Sequence, residues 1–467
     1  MEKIRIEKRD LLWSYIGSIF RLATNILLLP IILAYLTEQD LGLWYVFATI
    51  SQLVTLLDFG FAPALSRNIS YVWCGAKKID KEEITSALTG EMDIIYFKKV
   101  LTACQYIYMF ISVLSVIILL TFGSYYIHSL SSDTNIIIAW SVYSIGVFLN
   151  TLYSYYTSFL RGVGAVAENN KAGVYSKAIQ IFLTFILLYL GYGLLGVSIA
   201  YLISGVVLRL YSKYYFFNYQ GIGVLLGSVK ITDKVQESFN ILKIIWHNAS
   251  RDGLVTIANF LSTQANTLIC SSTLGLVTTG SYGLSLQLAT VLASLSGIPF
   301  SAFQPAMQEK AVKNDSQGSL SLYATSMTLY VVMFVILSMG LVVVMPVIKY
   351  LKPTIEINYL MLGIILLQML IYQLYQHAAS YISTFNIIPY TKSFVLSSLA
   401  SVILSYVIAK YTAAGIWALI ITPLGVSLLY NAWKWPLSAL ARSHADFKTF
   451  VYQGCLGSIN YIKSFYR

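Results

Sequence analysis

The sequence predicts an all-α integral membrane protein with twelve transmembrane helices. They form two six-helix bundles related as a parallel pseudo-repeat, with both termini cytoplasmic. Three observations carry this reading. The chain of 467 residues is 57% hydrophobic and only 11% charged, against about 25% charged in soluble domains. Apolar runs of roughly 20 residues, the length that crosses a hydrocarbon layer as a helix, recur along the whole chain. Its Lys and Arg fall almost entirely on one side of the membrane those runs define.

The runs place spans near 11–36, 41–64, 98–122, 136–160, 172–191, 194–217, 244–270, 276–304, 320–348, 358–384, 390–410 and 413–435. The first follows the charged segment Met1–Asp10. It is too long for a signal-peptide core, and no small-residue cleavage site follows, so it reads as a retained span. The fifth and sixth spans are separated only by Gly-Tyr-Gly-Leu-Leu-Gly (191–196). With the N-terminus inside, 26 of the 31 Lys and Arg lie in inner segments. Three (Lys349, Lys352, Lys410) lie in outer loops, and Arg21 and Arg251 lie within spans. This positive-inside pattern would be scrambled by an odd number of spans. It also accounts for the net charge of +11 without a nucleic-acid partner.

The longest polar interval within the bundle divides the chain. Residues 1–217 are the N-terminal bundle, 218–243 a cytoplasmic linker, 244–435 the C-terminal bundle and 436–467 a cytoplasmic tail. Six spans is an even number, so both halves enter from the same side, which makes a repeat parallel. Phe-Ala-Pro-Ala-Leu (61–65) closes span 2 and Phe-Gln-Pro-Ala-Met (303–307) closes span 8. Arg21 and Arg251 occupy matching early positions in the first span of each half.

Several function classes drop out. The four cysteines lie far apart with no Cys-x-x-Cys, so neither a disulfide framework nor a metal site is expected. No His, Cys and carboxylate cluster points to a metal or another cofactor. No outer loop is long enough for a catalytic domain, so no enzyme and no catalytic residue is expected. Asp58-Phe59-Gly60 matches a kinase tripeptide, but the His-Arg-Asp loop and the Val-Ala-Ile-Lys strand of a kinase are missing. Gly191-x-Gly-x-x-Gly196 joins two apolar helices without a βαβ unit and is a turn.

What remains is polar residues at helical spacing inside spans. A charge at the bilayer centre costs at least about 2.5–3.5 kcal/mol, so such residues face protein or water. Ser14, Ser18, Arg21 and Asn25 share one face of span 1, and Ser51, Thr55 and Asp58 one face of span 2. Asn150, Ser154, Thr157 and Arg161 align on span 4, and Lys177, Gln180 and Thr184 on span 5. Span 7 is the most polar, with Asn248, Asp252, Asn259, Ser262 and Asn266 on one face and Arg251 at its edge. Gln287 leads a stripe on span 8, and Gln373 and His377 one on span 10. These spans are expected to line a hydrated cavity. Asp58 has two readings: a helix-terminating ion network with a basic neighbour such as Arg67, or a gating or proton-linked carboxylate. Gly60 and Pro63 are expected to loosen and end its helix.

Pro30, Asp-Leu-Gly-Leu-Trp (40–44) and the fifteen residues Leu56–Ser70 resemble bacterial polysaccharide-unit flippases of the O-antigen type. These are members of the multidrug/oligosaccharidyl-lipid/polysaccharide (MOP) superfamily. A second resemblance runs through 262–292: Gln264-x-Asn266, Leu274-Gly275 and Gly280-x-Tyr282, with Asn266 where the pattern has Asp. The resemblance implies a V-shaped transporter with a central cavity in the bacterial inner (cytoplasmic) membrane. It would move an undecaprenyl-diphosphate-linked oligosaccharide to the outer leaflet by alternating access, with an H+ or Na+ gradient or the membrane potential as the driving force. A polysaccharide polymerase and a chain-length regulator are its implied partners, beside the lipid bilayer. Arg21 and Arg251 match arginines that engage the diphosphate. Asn25, Lys177, Asn259 and Gln287 complete the expected substrate-binding set, and Asp58, Asp252 and Asn266 the gating or ion-coupling set. The alternatives are a multidrug or cation antiporter of the same superfamily, which expects a carboxylate-rich cavity, and a lipid II-type flippase, which usually carries two extra spans. Physics makes a consistent demand. Sugar hydroxyls need a wet polar cavity, and a diphosphate suits the bidentate fork of arginine.

Overall fold

The computed structural model of the chain describes residues 27–58, 61–73, 93–229, 253–312, 315–351, 358–385, 389–443 and 445–464, together with Trp13 and Phe20. Among the described residues there is no strand, and ten helical stretches are long and apolar enough to cross a membrane. They coincide with predicted spans 2–6 and 8–12. The chain is therefore a multi-pass membrane protein. The described parts of spans 1 and 7, including 27–35 and 253–263, are helical. The rest of those spans, and both chain ends, lie outside the described residues.

The chain forms two compact units, Met1–Ile257 and Ala258–Arg467. The first contains α1 (27–35) and α2 (Glu38–Thr55). Thr37 caps α2, its hydroxyl accepting from the Asp40 amide at 3.1 Å, and Glu38 and Asp40 suit the positive end of the helix. Next comes α3 (Phe61–Trp73). Pro63 thus begins a helix instead of ending one. It sits in the first turn, where a missing N–H has no helical partner to lose. Phe61, Leu65, Ile69 and Val72, spaced by four, four and three, make the buried face of α3.

Span 3 is longer than the sequence predicts. α4 (Ile94–Ile118) passes through a π-helical turn, Leu119–Gly123, into α5 (Ser124–Leu130). The Trp140 indole packs against the widened turn. Its Nε1 donates to Leu119 O at 3.3 Å, and a side chain on Gly123 would meet the indole at 2.5 Å.

Span 4 is broken between α6 (Thr134–Leu152) and α7 (Tyr155–Gly162). At the break the amides of Tyr153 and Ser154 both turn back to Thr151 O, so the carbonyls of Leu149 and Asn150 lose their helical donors. Arg209 replaces them. Its Nε donates to Leu149 O at 3.2 Å, and one terminal nitrogen donates to Asn150 O and, at 3.1 Å, to Asn150 Oδ1. The sequence reading counts Arg209 among the inner-loop cations. The structure buries it, 7% exposed, because α9 (Gly193–Asn218) carries it into the bundle. Gly205, one turn earlier, makes the approach possible, since a Cβ there would lie 2.6 Å from the Asn150 amide nitrogen. α8 (Val166–Tyr189) precedes α9, and the turn between them uses Gly191 and Gly193 at φ of 83° and 51°. After α9 a short helix, α10 (Ile222–Gly227), occupies part of the expected linker.

The second unit begins within α11 (253–263) and continues through α12 (Ala265–Thr273), α13 (Leu276–Ser296) and α14 (Ile298–Val312). The two repeated strings fall on α3 and α14, each the short helix that follows the second span of its unit. Then come α15 (Ser316–Leu351), α16 (Tyr359–Ser383), α17 (Thr391–Tyr411) and α18 (Ile416–Leu429). Between α14 and α15, Lys310 pairs with Asp315 at 2.8 Å and holds that carboxyl below its usual range. Past Tyr430, the last predicted span runs on as α19 (Asn431–Arg442). The expected tail folds back as α20 (Phe447–Ser464) along α15, where Gly454 and Gly457 sit against Thr328 and Thr325.

Arg209→Ala should leave two partly buried carbonyls without donors, at up to about 1–3 kcal/mol each. The expected outcome is a melting temperature in detergent lower by several degrees, with Arg209→Lys recovering part. A melting curve unchanged by Arg209→Ala would remove the clamp from this account.

Candidate functional site

In the first unit the polar stripes of spans 4 and 5 meet. The end of α7 is fixed against α3. Gly162 lets Ile69 approach, with a Cβ on it meeting Ile69 at 2.5 Å, and Ser70 Oγ donates to Gly162 O at 2.8 Å. α7 then stops at a left-handed glycine, Gly164 at φ 86°. Its amide bonds Arg161 O at 3.1 Å and the Ala165 amide bonds Leu160 O at 2.8 Å, the paired bonds of a Schellman ending. The chain reverses at once into α8, which lies antiparallel. Ser176 Oγ donates to Ser204 O at 2.8 Å and ties α8 to α9.

This reversal leaves a cavity of about 170 Å³. Arg161 stands at its exposed edge and Lys177 lies half-buried within. Thr157, Asn169, Asn170 and Ser176 supply further polar groups, and Phe20 and Leu208 an apolar wall. Lys177 Nζ donates to Gln180 Oε1 at 2.8 Å. Gln180 is buried and is a neutral acceptor, so it holds the Lys177 side chain in place without supplying a counter-charge. No Asp or Glu is among the described lining residues. Trp13 reaches the same helix, with the Lys171 ammonium 5.3 Å from its ring.

Of the predicted substrate-binding residues, Lys177 is in this cavity. Arg21, Asn25 and Arg251, with Asp252 from the gating set, lie outside the described residues. Asn169 and Asn170 also line the cavity, although they precede the predicted start of span 5 at 172. Asn169, Gly173 and Lys177 repeat every four residues, so the stripe was already readable one turn earlier.

In the second unit the polar cluster described inside the bundle is neutral. Asn259 Oδ1 accepts from Gln376 Nε2 at 2.5 Å, and the same nitrogen donates to the Tyr372 hydroxyl at 2.9 Å. Beside them Ser262, Gln368, Tyr372, Ser397 and Ser401 surround a void of about 10 Å³ next to Pro423, room for roughly one water. Gln287 is half-buried on α13 and is not part of this group. His377 packs between Phe300 and Tyr330, with ring centres 4.0 and 5.0 Å away, and is a core side chain.

Two of the expected gating or ion-coupling residues have structural duties. Pro423 lies inside α18 and has no N–H, so the carbonyl four residues earlier, Leu419 O, lacks its helical donor. Asn266 Nδ2 supplies it at 2.8 Å. Asp58 Oδ2 accepts from the Ala62 amide at 3.3 Å, at the start of α3. Its Oδ1 is buried without a hydrogen bond, with the Tyr108 hydroxyl as a polar neighbour. No ion pair to Asp58 is present among the described residues, and the Arg67 side chain is outside them.

No family model and no curated protein matches the chain. Solved structures do. An inward-facing multidrug resistance MATE family transporter of the MOP superfamily superposes with a TM-score of 0.61 at 16% identity, covering 92% of this chain and 94% of that one. An outward-facing structure so described gives 0.60 at 14% identity, covering 94% and 96%. A MOP superfamily transporter from Pyrococcus furiosus, described as having a binding pocket of reversed polarity suggesting a different function, gives 0.55 at 16% identity over 93% and 94%. The chain thus has the fold of MOP superfamily transporters.

Asn266→Ala should cost about 1–3 kcal/mol by exposing the Leu419 carbonyl to a site without a donor. Pro423→Ala restores the backbone N–H. Asn266→Ala should therefore cost much less in the Pro423→Ala background. A double-mutant cycle on thermal unfolding checks this, and additive losses would count against the pairing.

Proposed function

We propose that the protein is a membrane transporter that flips a lipid-linked anionic oligosaccharide, of the polyprenyl-diphosphate class, from one leaflet to the other by alternating access. The observation that carries this is the cavity between α7 and α8. It collects Arg161 and Lys177 with neutral amides and hydroxyls, and no carboxylate among its described lining residues. In a medium of low dielectric such cations select phosphate over a cationic drug. The neutral amide, hydroxyl and aromatic groups around Asn259, Gln376 and Tyr372 are of the kind that bonds sugar hydroxyls without charge. The inward-facing and outward-facing descriptions of two structural neighbours support alternating access. Outward movement of an anionic head is favoured by an inside-negative potential, at about 2.3 kcal/mol per charge per 100 mV. Arg21 and Arg251 remain the proposed diphosphate ligands, by their positions in sequence.

The second reading is a multidrug or cation antiporter. It is favoured by the descriptions of the structural neighbours and by the buried carboxylate oxygen of Asp58 that no hydrogen bond reaches.

Flipping of a polyprenyl-diphosphate oligosaccharide in proteoliposomes separates the two. On the flippase reading Arg161→Gln and Lys177→Gln each slow flipping by about tenfold, the scale of a lost charge-assisted hydrogen bond, and Asp58→Asn is milder. Arg21→Ala abolishes surface polysaccharide in a complementation assay while the protein still inserts, and Arg21→Lys restores part. Drug-dependent proton exchange that needs Asp58 and is indifferent to Arg161 and Lys177 would decide for the antiporter.

A further inference from the structure

A second and larger cavity of the first unit, about 930 Å³, has no part in the reading above. Its size is that of a ligand pocket. One wall is a single face of α4: Lys98, Thr102, Gln105, Tyr106 and Met109, spaced by four, three, one and three residues. The opposite wall is the broken part of span 4, with Leu152, Tyr153 and Tyr155, and Gly227 and Val229 close the end near Lys98.

The groove runs from polar to apolar. Lys98 is in the first turns of α4, followed by the hydroxyl of Thr102 and the amide of Gln105. From Tyr106 to Phe122 the helix has no charged residue. The helical stretch Ile94–Leu130 has 37 residues, about 55 Å at helical rise, against roughly 30 Å of hydrocarbon. The apolar part must take the hydrocarbon, so Lys98 stands at head-group level and Met109, about 16 Å further along, lies in the acyl region. Tyr106 and Met109 are 49% and 50% exposed, so the groove opens sideways.

The charge at its head is fixed. Lys98 Nζ donates to Leu226 O at 2.6 Å and also to Val229 O. Both acceptors are neutral, so the positive charge is held in place without being cancelled, and one N–H is left for a further acceptor. A fixed cation at the interface, then hydroxyl and amide, then an aromatic and aliphatic trough open to the bilayer, matches one kind of molecule.

We infer that the groove formed by α4, the Leu152–Tyr155 break and the end of α10 binds an anionic phospholipid of the leaflet it opens onto. The phosphate meets Lys98, polar head-group atoms meet Thr102 and Gln105, and an acyl chain lies along Met109 and Leu152. The inference is independent of the transported substrate.

The test reconstitutes the full chain in nanodiscs of phosphatidylcholine with an equal share of phosphatidylglycerol, then reads retained lipid by native mass spectrometry. The wild type should keep phosphatidylglycerol in preference to phosphatidylcholine, and excess inorganic phosphate should not displace it. Lys98→Gln should lower retention about fivefold, the worth of one Lys near an anionic lipid surface. Lys98→Gln also loosens α10, so Met109→Trp, which fills the trough and leaves the Lys98 bonds in place, is the second variant and should lower retention as much. Arg161→Gln with Lys177→Gln should leave retention unchanged. Equal retention of both lipids, or wild-type retention by Met109→Trp, overturns the inference. Loss only in the Arg161 and Lys177 variant overturns it too, by moving the lipid to the other cavity.

Discussion

A helix in hydrocarbon has no water with which to finish its hydrogen bonds, and most of what is distinctive here follows from that. Each interruption of a spanning helix frees carbonyl or amide groups that some side chain must take up. At the Leu152–Ser154 break the taker is Arg209, at Pro423 it is Asn266, and at the start of α3 it is Asp58. In the two helix breaks the donor comes from a helix distant in sequence. The repair therefore also sets which helices are neighbours. Gly205 and Gly162 have no side chain for a related reason, since the helices they serve come too close for one.

This accounts for how much was legible beforehand. Hydropathy and the Lys and Arg bias report the solvent each residue meets, and ten of the predicted spans coincide with helical stretches long and apolar enough to cross a membrane, their ends differing by up to ten residues, at Gly227 against 217. The turn at 191–193 followed from glycine spacing. Side-chain duties were harder, because a polar residue inside a span satisfies either a ligand or a backbone, and one sequence without its fold does not say which. Asn266 looked like a remnant of an ion site and is a partner for a proline-freed carbonyl. Arg209 falls inside predicted span 6 (194–217) yet reads as an inner-side cation, because the Lys and Arg bias takes no account of an arginine buried against carbonyls. Lys177 lies on the polar stripe of span 5, and Asn169 and Asn170, which line the same cavity, fall one turn before the predicted start of that span at 172.

Chemically the described polar sites of the two units are unlike. Among the described residues, the candidate cavity of the first unit is cationic and the polar cluster of the second is neutral and rich in hydroxyl and amide groups.

The pairing of Asn266 with Leu419 has a bearing on how the protein is made. The two residues are 153 positions apart. At about 5–20 residues per second, the ribosome takes roughly 8–30 s to deliver the carbonyl after it has delivered the amide. For that interval Asn266 is in or near the bilayer with its permanent partner not yet synthesised. The second unit therefore depends on its last helices to finish its early ones. Arg209 meets the opposite order: its acceptors, about 60 residues earlier, are already in place when it emerges. Translation that stalls late in the chain would leave a first unit complete and a second with its amides unanswered, and quality control would see the difference as exposed polar surface inside the membrane.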